Sequence, residues 1–363
     1  MLGYQKGSLR QKRQVSLLSM VESISLKQFG YNFCGPVVYR YIKEVSEFLD
    51  TNPKKVFCLA REGYLFKQAI EAYMPGIEAT YLLASRTFLF RILIADPTSW
   101  QFSLGHAFEG KLESFFVSRF GFSQEQVKLF LKDNEPDRDI SLPSDREVVE
   151  SILQRELNVV SKIVAGSRDN YLRYLTDKGL TQDTLEDALL LDVGYSGTIQ
   201  KLLSILLNSN SHGYYFITTD SDNTSVNGLT SKQYYVFKDK VKMGEGYIML
   251  DRSMFLESLF TSPDGQFIDI LESANGDFIP CYGKRNYTQH NFVKLNLVFE
   301  GILEAIRHFK EQNINFSVEE IESLYSLYVS SRHLLPSAAW PLFEFDDAIS
   351  GYGNVNSLQF FGM

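Results

Sequence analysis

Leu189-Leu190-Leu191-Asp192-Val193-Gly194-Tyr195-Ser196-Gly197-Thr198 is the stretch on which the fold turns. A short apolar run ends in a carboxylate, a loop of small residues follows, and Ile199 to Leu207 resumes at helical spacing. Such a run, bounded by turn formers, reads as a strand buried on both faces, the usual look of a parallel sheet. In an open parallel sheet, ligands sit beyond the carboxyl ends of the strands. Gly194 and Gly197 permit close backbone approach, and Ser196 and Thr198 add hydroxyl groups. The first turn of a helix presents unpaired N–H groups and about half a positive charge, so the segment suits a phosphate. The same residues would also make a plain βα turn in which Ser196 caps the helix. The lysine of a P-loop is missing, which sets aside a nucleoside triphosphatase.

Working outward, Val56-Phe57-Cys58-Leu59-Ala60 is a second buried strand, Arg61-Glu62-Gly63 a turn, and Tyr64 to Tyr73 a helix. A strand over Ala79 to Ser85 completes a βαβ unit. Upstream, residues 14–29 read as an amphipathic helix that stops at Gly30. Gly35-Pro36 marks a further break before a helix over Val37 to Leu49. Residues 86–180 read as mostly helical, with the proline- and charge-rich Asn134 to Ser144 as an exposed linker or lid. Downstream come a strand at Gly213 to Thr219, a polar loop at 220–231, strands in 232–240 and 266–280 around a helix at 252–261, helices over 288–330, and an irregular tail after Pro336. The expected fold is α/β: a doubly wound, mainly parallel sheet with substantial helical additions. It is divided into an N-terminal helical segment 1–50, a core 51–285 with a helical insertion at about 86–180, and a C-terminal helical segment and tail 286–363.

Of 363 residues, 44% are hydrophobic and 22% charged, as in ordinary globular proteins. The 28 Phe and 20 Tyr read first as core packing; lining an acceptor groove is the other use of such rings. A net charge of -8 argues against nucleic acid as a partner. Lys6, Arg10, Lys12 and Arg13 form a local exception. They read either as a solvated tail or as a weak attraction to an anionic membrane surface, worth roughly 1 kcal/mol per residue. Three widely spaced cysteines give neither a disulfide framework nor paired zinc ligands, and the five histidines lack ligand spacing. His106 reads as a packed core residue. With no apolar run of about 18 residues, the expected location is the cytoplasm, at the inner face of the membrane if the basic segment engages it.

Arg61 could clamp a diphosphate through its planar fork, with Glu62 sharing a Mg²⁺ or orienting Arg61. The bland alternative is a surface salt bridge. Arg86 would reach the same anion or make a salt bridge at a helix start. Glu257 lies between apolar neighbours, Met254-Phe255-Leu256 and Leu259-Phe260, and is either a structural partner or an acceptor-side base. Asp251 and Arg252 read as a helix cap and a solvated charge.

The stretch Asp192-Val193-Gly194-Tyr195-Ser196-Gly197 resembles the ribose-phosphate loop of phosphoribosyltransferases, acid-acid-Val-x-x-Thr-Gly, whose substrate is 5-phosphoribosyl diphosphate (PRPP). Asp192 falls on the second acid, and Leu191 replaces the first. The turn Arg61-Glu62-Gly63 is similar to that family's diphosphate loop, though short. A broader resemblance rests on Phe29-Gly30-Tyr31-Asn32-Phe33-Cys34-Gly35-Pro36, on Leu59 to Leu65 with Ser85-Arg86, on Asp192 to Thr198, and on Leu256-Glu257-Ser258-Leu259-Phe260-Thr261-Ser262-Pro263. Together they resemble a bacterial family of surface-polysaccharide (O-antigen and capsule) gene clusters. Its members are described as haloacid-dehalogenase-type hydrolases or resemble transferases that place ribofuranose in glycans from PRPP.

The resemblance implies transfer of 5-phosphoribosyl from PRPP to a glycan acceptor, lipid-linked, with Mg²⁺ as cofactor and a companion phosphatase. It puts Asp192 at the ribose hydroxyls and Gly194, Tyr195, Ser196, Gly197 and Thr198 around the 5-phosphate. Arg61, Glu62 and Gly63 fall at the diphosphate; read from the residues themselves, Arg86 would join them there, Glu257 would be the acceptor-side base, and Glu62 or Asp192 could meet the metal. A haloacid-dehalogenase phosphatase needs a nucleophilic Asp and a second Asp two positions later. Gly194 stands at that offset from Asp192, and the loop at Arg61 has no Asp. A sugar-phosphate phosphatase and a non-catalytic phosphosugar-binding module of a polysaccharide-assembly complex are the alternative readings.

Overall fold

The structure is a computed structural model and describes residues 19–132, 134–219, 223–347 and 353–363. The basic cluster Lys6, Arg10, Lys12 and Arg13 lies outside the described residues. In chain order the strands are β1 (Lys55–Leu59), β2 (Ala79–Leu82), β3 (Phe108–Lys111), β4 (Asp139–Leu142), β5 (Ala188–Leu191), β6 (Ser211–Ile217), β7 (Asn223–Val226), β8 (Leu229–Lys238), β9 (Phe267–Glu272), β10 (Phe278–Tyr282), β11 (Glu344–Asp347) and β12 (Gly353–Asn356). Six of them form the central sheet in the order β2-β1-β5-β6-β8-β7. All neighbours are parallel except β7, which pairs antiparallel with β8.

The helices that frame the sheet and the site are α1 (residues 19–29), α2 (Gly35–Thr51), α3 (Gly63–Tyr73), α4 (Arg86–Ile92), α5 (Leu112–Phe120), α6 (Leu157–Asp177), α7 (Thr198–Leu207), α8 (Met254–Leu259), α9 (Phe292–Glu311) and α10 (Val318–Ser330). Side chains alternate across a strand, and β1 feeds two cores. Val56 and Cys58 pack under α2, α3 and α9, with Phe66, Ile70 and Ile302. Phe57 and Leu59 pack under α4, α5, α6 and α7, with Phe88, Tyr171 and Leu203. Helices therefore cover both faces of a mostly parallel sheet. Ranked by sequence, the parallel strands run 2-1-3-4-5, so the direction of winding reverses between β1 and β5. Consistently, α3 after β1 lies on one face and α7 after β5 on the other. A ligand crevice is expected at that reversal.

Four stretches depart from expectation. The chain does not break at Gly30 or Gly35-Pro36: α1 runs through a π-helical turn, Gly30–Cys34, into α2. The glycines serve helix packing instead. A Cβ at Gly30 would lie 2.0 Å from the Val298 carbonyl oxygen, one at Gly35 2.6 Å from the Ala305 Cβ, and one at Gly301 2.0 Å from the Lys27 carbonyl oxygen. The N- and C-terminal helical segments thus share one core with the sheet. The proposed lid Asn134 to Ser144 is tied down, because β4 within it pairs with β3. The loop expected over 220–231 contains β7 and a hairpin turn at Asn227-Gly228, both at positive φ (54° and 80°). The tail after Pro336 is not irregular: it carries the β11–β12 hairpin.

Candidate functional site

The loop after β5 is shaped by its backbone. Gly194 (φ 136°) lies against β6, where a Cβ would come 2.5 Å from the Ile217 carbonyl oxygen. Gly197 (φ 64°) sits where a Cβ would come 2.1 Å from Gln233 Nε2. Few residues but glycine tolerate either position. The amides of Phe216 on β6 and Thr219 just past it donate to the carbonyls of Val193 (3.1 Å) and Tyr195 (3.0 Å), so this segment holds the loop along one side. Ser196 does not cap α7. Its Oγ lies 2.9 Å from Thr198 Oγ1, and the N-cap is Gly197, which has no side chain to offer. Among the described residues no acceptor meets the amides of Ser196, Gly197, Thr198 and Ile199. A helix start with unpaired donors on glycine-bounded backbone is an anion site in chemical terms.

The loop after β1 relies on side chains. Gly63 is required because a Cβ there would lie 2.4 Å from the Cys58 carbonyl carbon, with α3 starting directly over the strand end. The Arg61 amide donates to Glu62 Oε2 (3.0 Å). The Arg61 guanidinium reaches β11, where its Nη1 stands 3.9 Å from Asp346 Oδ2, and that buried nitrogen has no hydrogen-bond acceptor. A buried donor without an acceptor is costly, and an anionic ligand would satisfy it. The Ala60–Arg61 and Gly194–Tyr195 peptide bonds are both cis.

Around these loops the charges interact. Asp192, partly buried, accepts from the Val193 amide (2.8 Å). Its carboxyl is held well above the usual carboxylate range, first by burial and then by the negative field of Glu62; Arg86 opposes the shift and Glu257 adds to it. Glu257 on α8 accepts from the Tyr195 hydroxyl (3.1 Å). It too is raised by burial and then by Glu62, with Arg86 opposing. Tyr195, between them, is pushed up by burial and by Glu257. Arg86 is exposed on the first residue of α4, which Ser85 caps by accepting from Phe88 (3.1 Å). Carboxyls whose pKa values are raised toward neutrality are suited to move protons.

The candidate residues Arg61, Glu62, Gly63, Arg86, Asp192, the loop Gly194 to Thr198 and Glu257 thus converge at the carboxyl edge of adjacent strands. Arg252 is not a solvated charge: its guanidinium lies 4.8 Å from the Phe361 ring centroid and donates to the Val329 carbonyl. Asp251 accepts from the Gly244 (2.6 Å) and Gly246 (2.9 Å) amides. His106 is half-buried rather than a core residue, and burial followed by Arg86 and Arg119 pushes its pKa down to about 4. Asp346 and Gln233 reach the site from sequence regions that carry no motif. A cavity of about 450 Å³ between Ile92–Pro97 and Ser161–Asp169 lies apart from the site. Among the described residues, no group of three or more His, Cys, Asp or Glu could hold a metal ion. None of their helices is long and apolar enough to cross a membrane. Comparison with models of known families and with curated proteins finds no match for this chain.

Proposed function

We propose that the chain is a glycosyltransferase of phosphoribosyltransferase type, moving 5-phosphoribosyl from PRPP to a hydroxyl of a glycan acceptor in bacterial surface-polysaccharide synthesis. One juxtaposition carries the reading. At the winding reversal, a glycine-bounded helix start with open amides lies beside a loop whose arginine has a buried nitrogen without an acceptor. Two anion-seeking features on neighbouring strands suit a ligand with a phosphate at each end, and PRPP carries a monophosphate and a diphosphate. The likeness of Asp192 to Gly197 to the ribose-phosphate loop supports the same reading.

In the proposed reaction the acceptor oxygen forms a bond to the ribose C1 while the bond from C1 to the diphosphate oxygen breaks. The bonding pair leaves with the diphosphate. Asp192 faces the ribose hydroxyls and steadies positive character at C1. Arg61, aided by Arg86, receives the leaving group. Glu257 takes the acceptor proton; its raised pKa makes it a stronger base than an ordinary carboxylate. Gly194 to Thr198 fix the 5-phosphate and so the position of C1. Glu62 and Asp192 are the carboxylates proposed to meet the metal, too few for an all-protein cage, which fits a Mg²⁺ carried mainly by substrate phosphates. When bound, Mg²⁺ would reduce the charge of the departing diphosphate.

The test is calorimetry with PRPP and Mg²⁺, followed by an assay of diphosphate release with oligosaccharide or lipid-linked acceptors. Binding with acceptor-dependent release is the expected result. Phosphate release from ribose phosphates would establish the phosphatase instead, and binding without turnover on any acceptor would establish a silent binding module.

A further inference from the structure

Beneath the loop Tyr195–Thr198 lies a second layer of polar groups that the proposed reaction does not use. Gln200 on α7 is fully buried, as is Tyr215 on β6, and Gln233 on β8 is nearly so. The Tyr215 hydroxyl donates to Gln200 Oε1 (2.7 Å), and Gln200 Nε2 donates to the Lys232 carbonyl (3.0 Å). Gln233 Nε2 donates to the Ser196 carbonyl (3.3 Å), in the turn that opens α7. Two glycines make the room. A Cβ at Gly213, the register partner of Gln233, would lie 2.6 Å from both Gln200 Oε1 and the Tyr215 hydroxyl; one at Gly197 would meet Gln233 and, at 3.2 Å, the Tyr215 hydroxyl. Gln233 Oε1 has no hydrogen-bond partner despite its burial. Buried polar side chains cost stability unless satisfied, and apolar residues of similar volume would pack this interior at less risk.

We infer that Gln233, backed by Gln200 and Tyr215, is a positioning element: by holding the Ser196 carbonyl inward it fixes the peptides of Ser196 to Thr198 with their N–H groups outward, preset for a phosphomonoester. This rests on the reading of the loop as a phosphate cradle. Gln233 touches no ligand in this scheme. Its effect is that the loop meets the anion already ordered, so that less conformational entropy is lost on binding.

The test uses Gln233→Leu and, as a variant that keeps the ring packing of its site, Tyr215→Phe. Two readouts serve: the amide signals of Gly194 and Gly197 in glycine-labelled protein without ligand, and affinity for ribose 5-phosphate and for PRPP. In Gln233→Leu the two glycine signals shift or broaden, and both ligands bind roughly tenfold more weakly at a near-native melting temperature. In Tyr215→Phe the same signals move less, in the same direction. Unchanged glycine signals together with native affinity in both variants would overturn the inference while leaving the cradle intact. Native protein that binds neither ligand would instead end the cradle reading, and the glycine signals would still decide whether Gln233 sets the loop.

Discussion

The loop after β5 takes its shape from backbone and buried amides, whereas the loop after β1 presents side chains whose setting depends on a distant part of the chain. Gly194 and Gly197 hold conformations closed to most residues, β6 and the residues just past it grip the Val193 and Tyr195 carbonyls, and Gln233 holds that of Ser196. Arg61, by contrast, has its charged neighbour in Asp346 on the C-terminal hairpin, at a distance that makes a loose pair. A tetrahedral phosphate that stays bound through a reaction suits a fixed cradle. A group that must be held and then released suits a long side chain with an exchangeable partner. If the two loops divide the work in this way, substitutions in them should fail differently.

The largest effect is expected in the fixed loop. Gly197→Ala places a Cβ 2.1 Å from Gln233 Nε2 at a φ of 64°, so the turn must rearrange. A left-handed L-residue costs about 1–2 kcal/mol before any clash. Affinity for ribose 5-phosphate by calorimetry should fall on the order of a hundredfold, about 2.7 kcal/mol, and the melting temperature should drop. Gly228→Ala is the control: its φ of 80° is equally unfavourable, but nothing lies within 4 Å of the added Cβ. It should cost stability and leave binding unchanged. Equal binding losses in both would break the comparison.

Asp192→Asn should lower turnover by roughly tenfold or more, since the charge that steadies C1 is lost while the shape and the Val193 bond remain. Stability should move the other way. Because the folded Asp192 and Glu257 carboxyls are raised, the native state binds protons more readily than the unfolded chain. Stability therefore falls as pH rises from the ordinary carboxylate range through the raised pKa values. The asparagine variant escapes part of that loss. It should melt about 1–3 °C above the native protein at the alkaline end of the pH range, with the gap closing as pH falls toward the ordinary carboxylate range. A variant that melts lower at the alkaline end, or keeps full turnover, would remove Asp192 from its proposed role. Arg61→Ala should act on one end of the donor: KM for PRPP rises about tenfold, as for a lost charge-assisted contact, while ribose 5-phosphate binds as before.

Much of the first loop was legible in the sequence, and less of the second. Leu189 to Leu207 announces strand, turn and helix because the apolar run, the glycines and the helical spacing are all local, and Val56 to Tyr73 does the same. What could not be read is what the sheet order brings together. Nothing near Gln233 signals that β8 lies one strand beyond β6, so that its amide reaches the turn after β5. Glycines misled where their purpose was tertiary: Gly30 and Gly35 look like breaks, yet they let α1 and α2 press against α9. Asn227-Gly228 was a readable hairpin signal, obscured by the polar residues around it. Asp346 lies in a stretch without periodicity, and only the fold carries it to Arg61.

The smallest effect is the one that probes the exchangeable clamp. Asp346 Oδ2 stands 3.9 Å from Arg61 Nη1, with both side chains mostly enclosed. An incoming diphosphate and the Asp346 carboxylate carry like charge and seek the same guanidinium. If they compete, Asp346→Asn releases Arg61 and PRPP binds about two- to fivefold more tightly, the range set by about 0.5–1 kcal/mol for a partly enclosed pair. If the aspartate instead orients the fork for its ligand, the same substitution weakens PRPP binding. Ribose 5-phosphate, which lacks the diphosphate, should be indifferent in the first case. A matching change in both ligands would mean that the hairpin acts on the whole crevice, and the division of labour between the two loops would have to be abandoned.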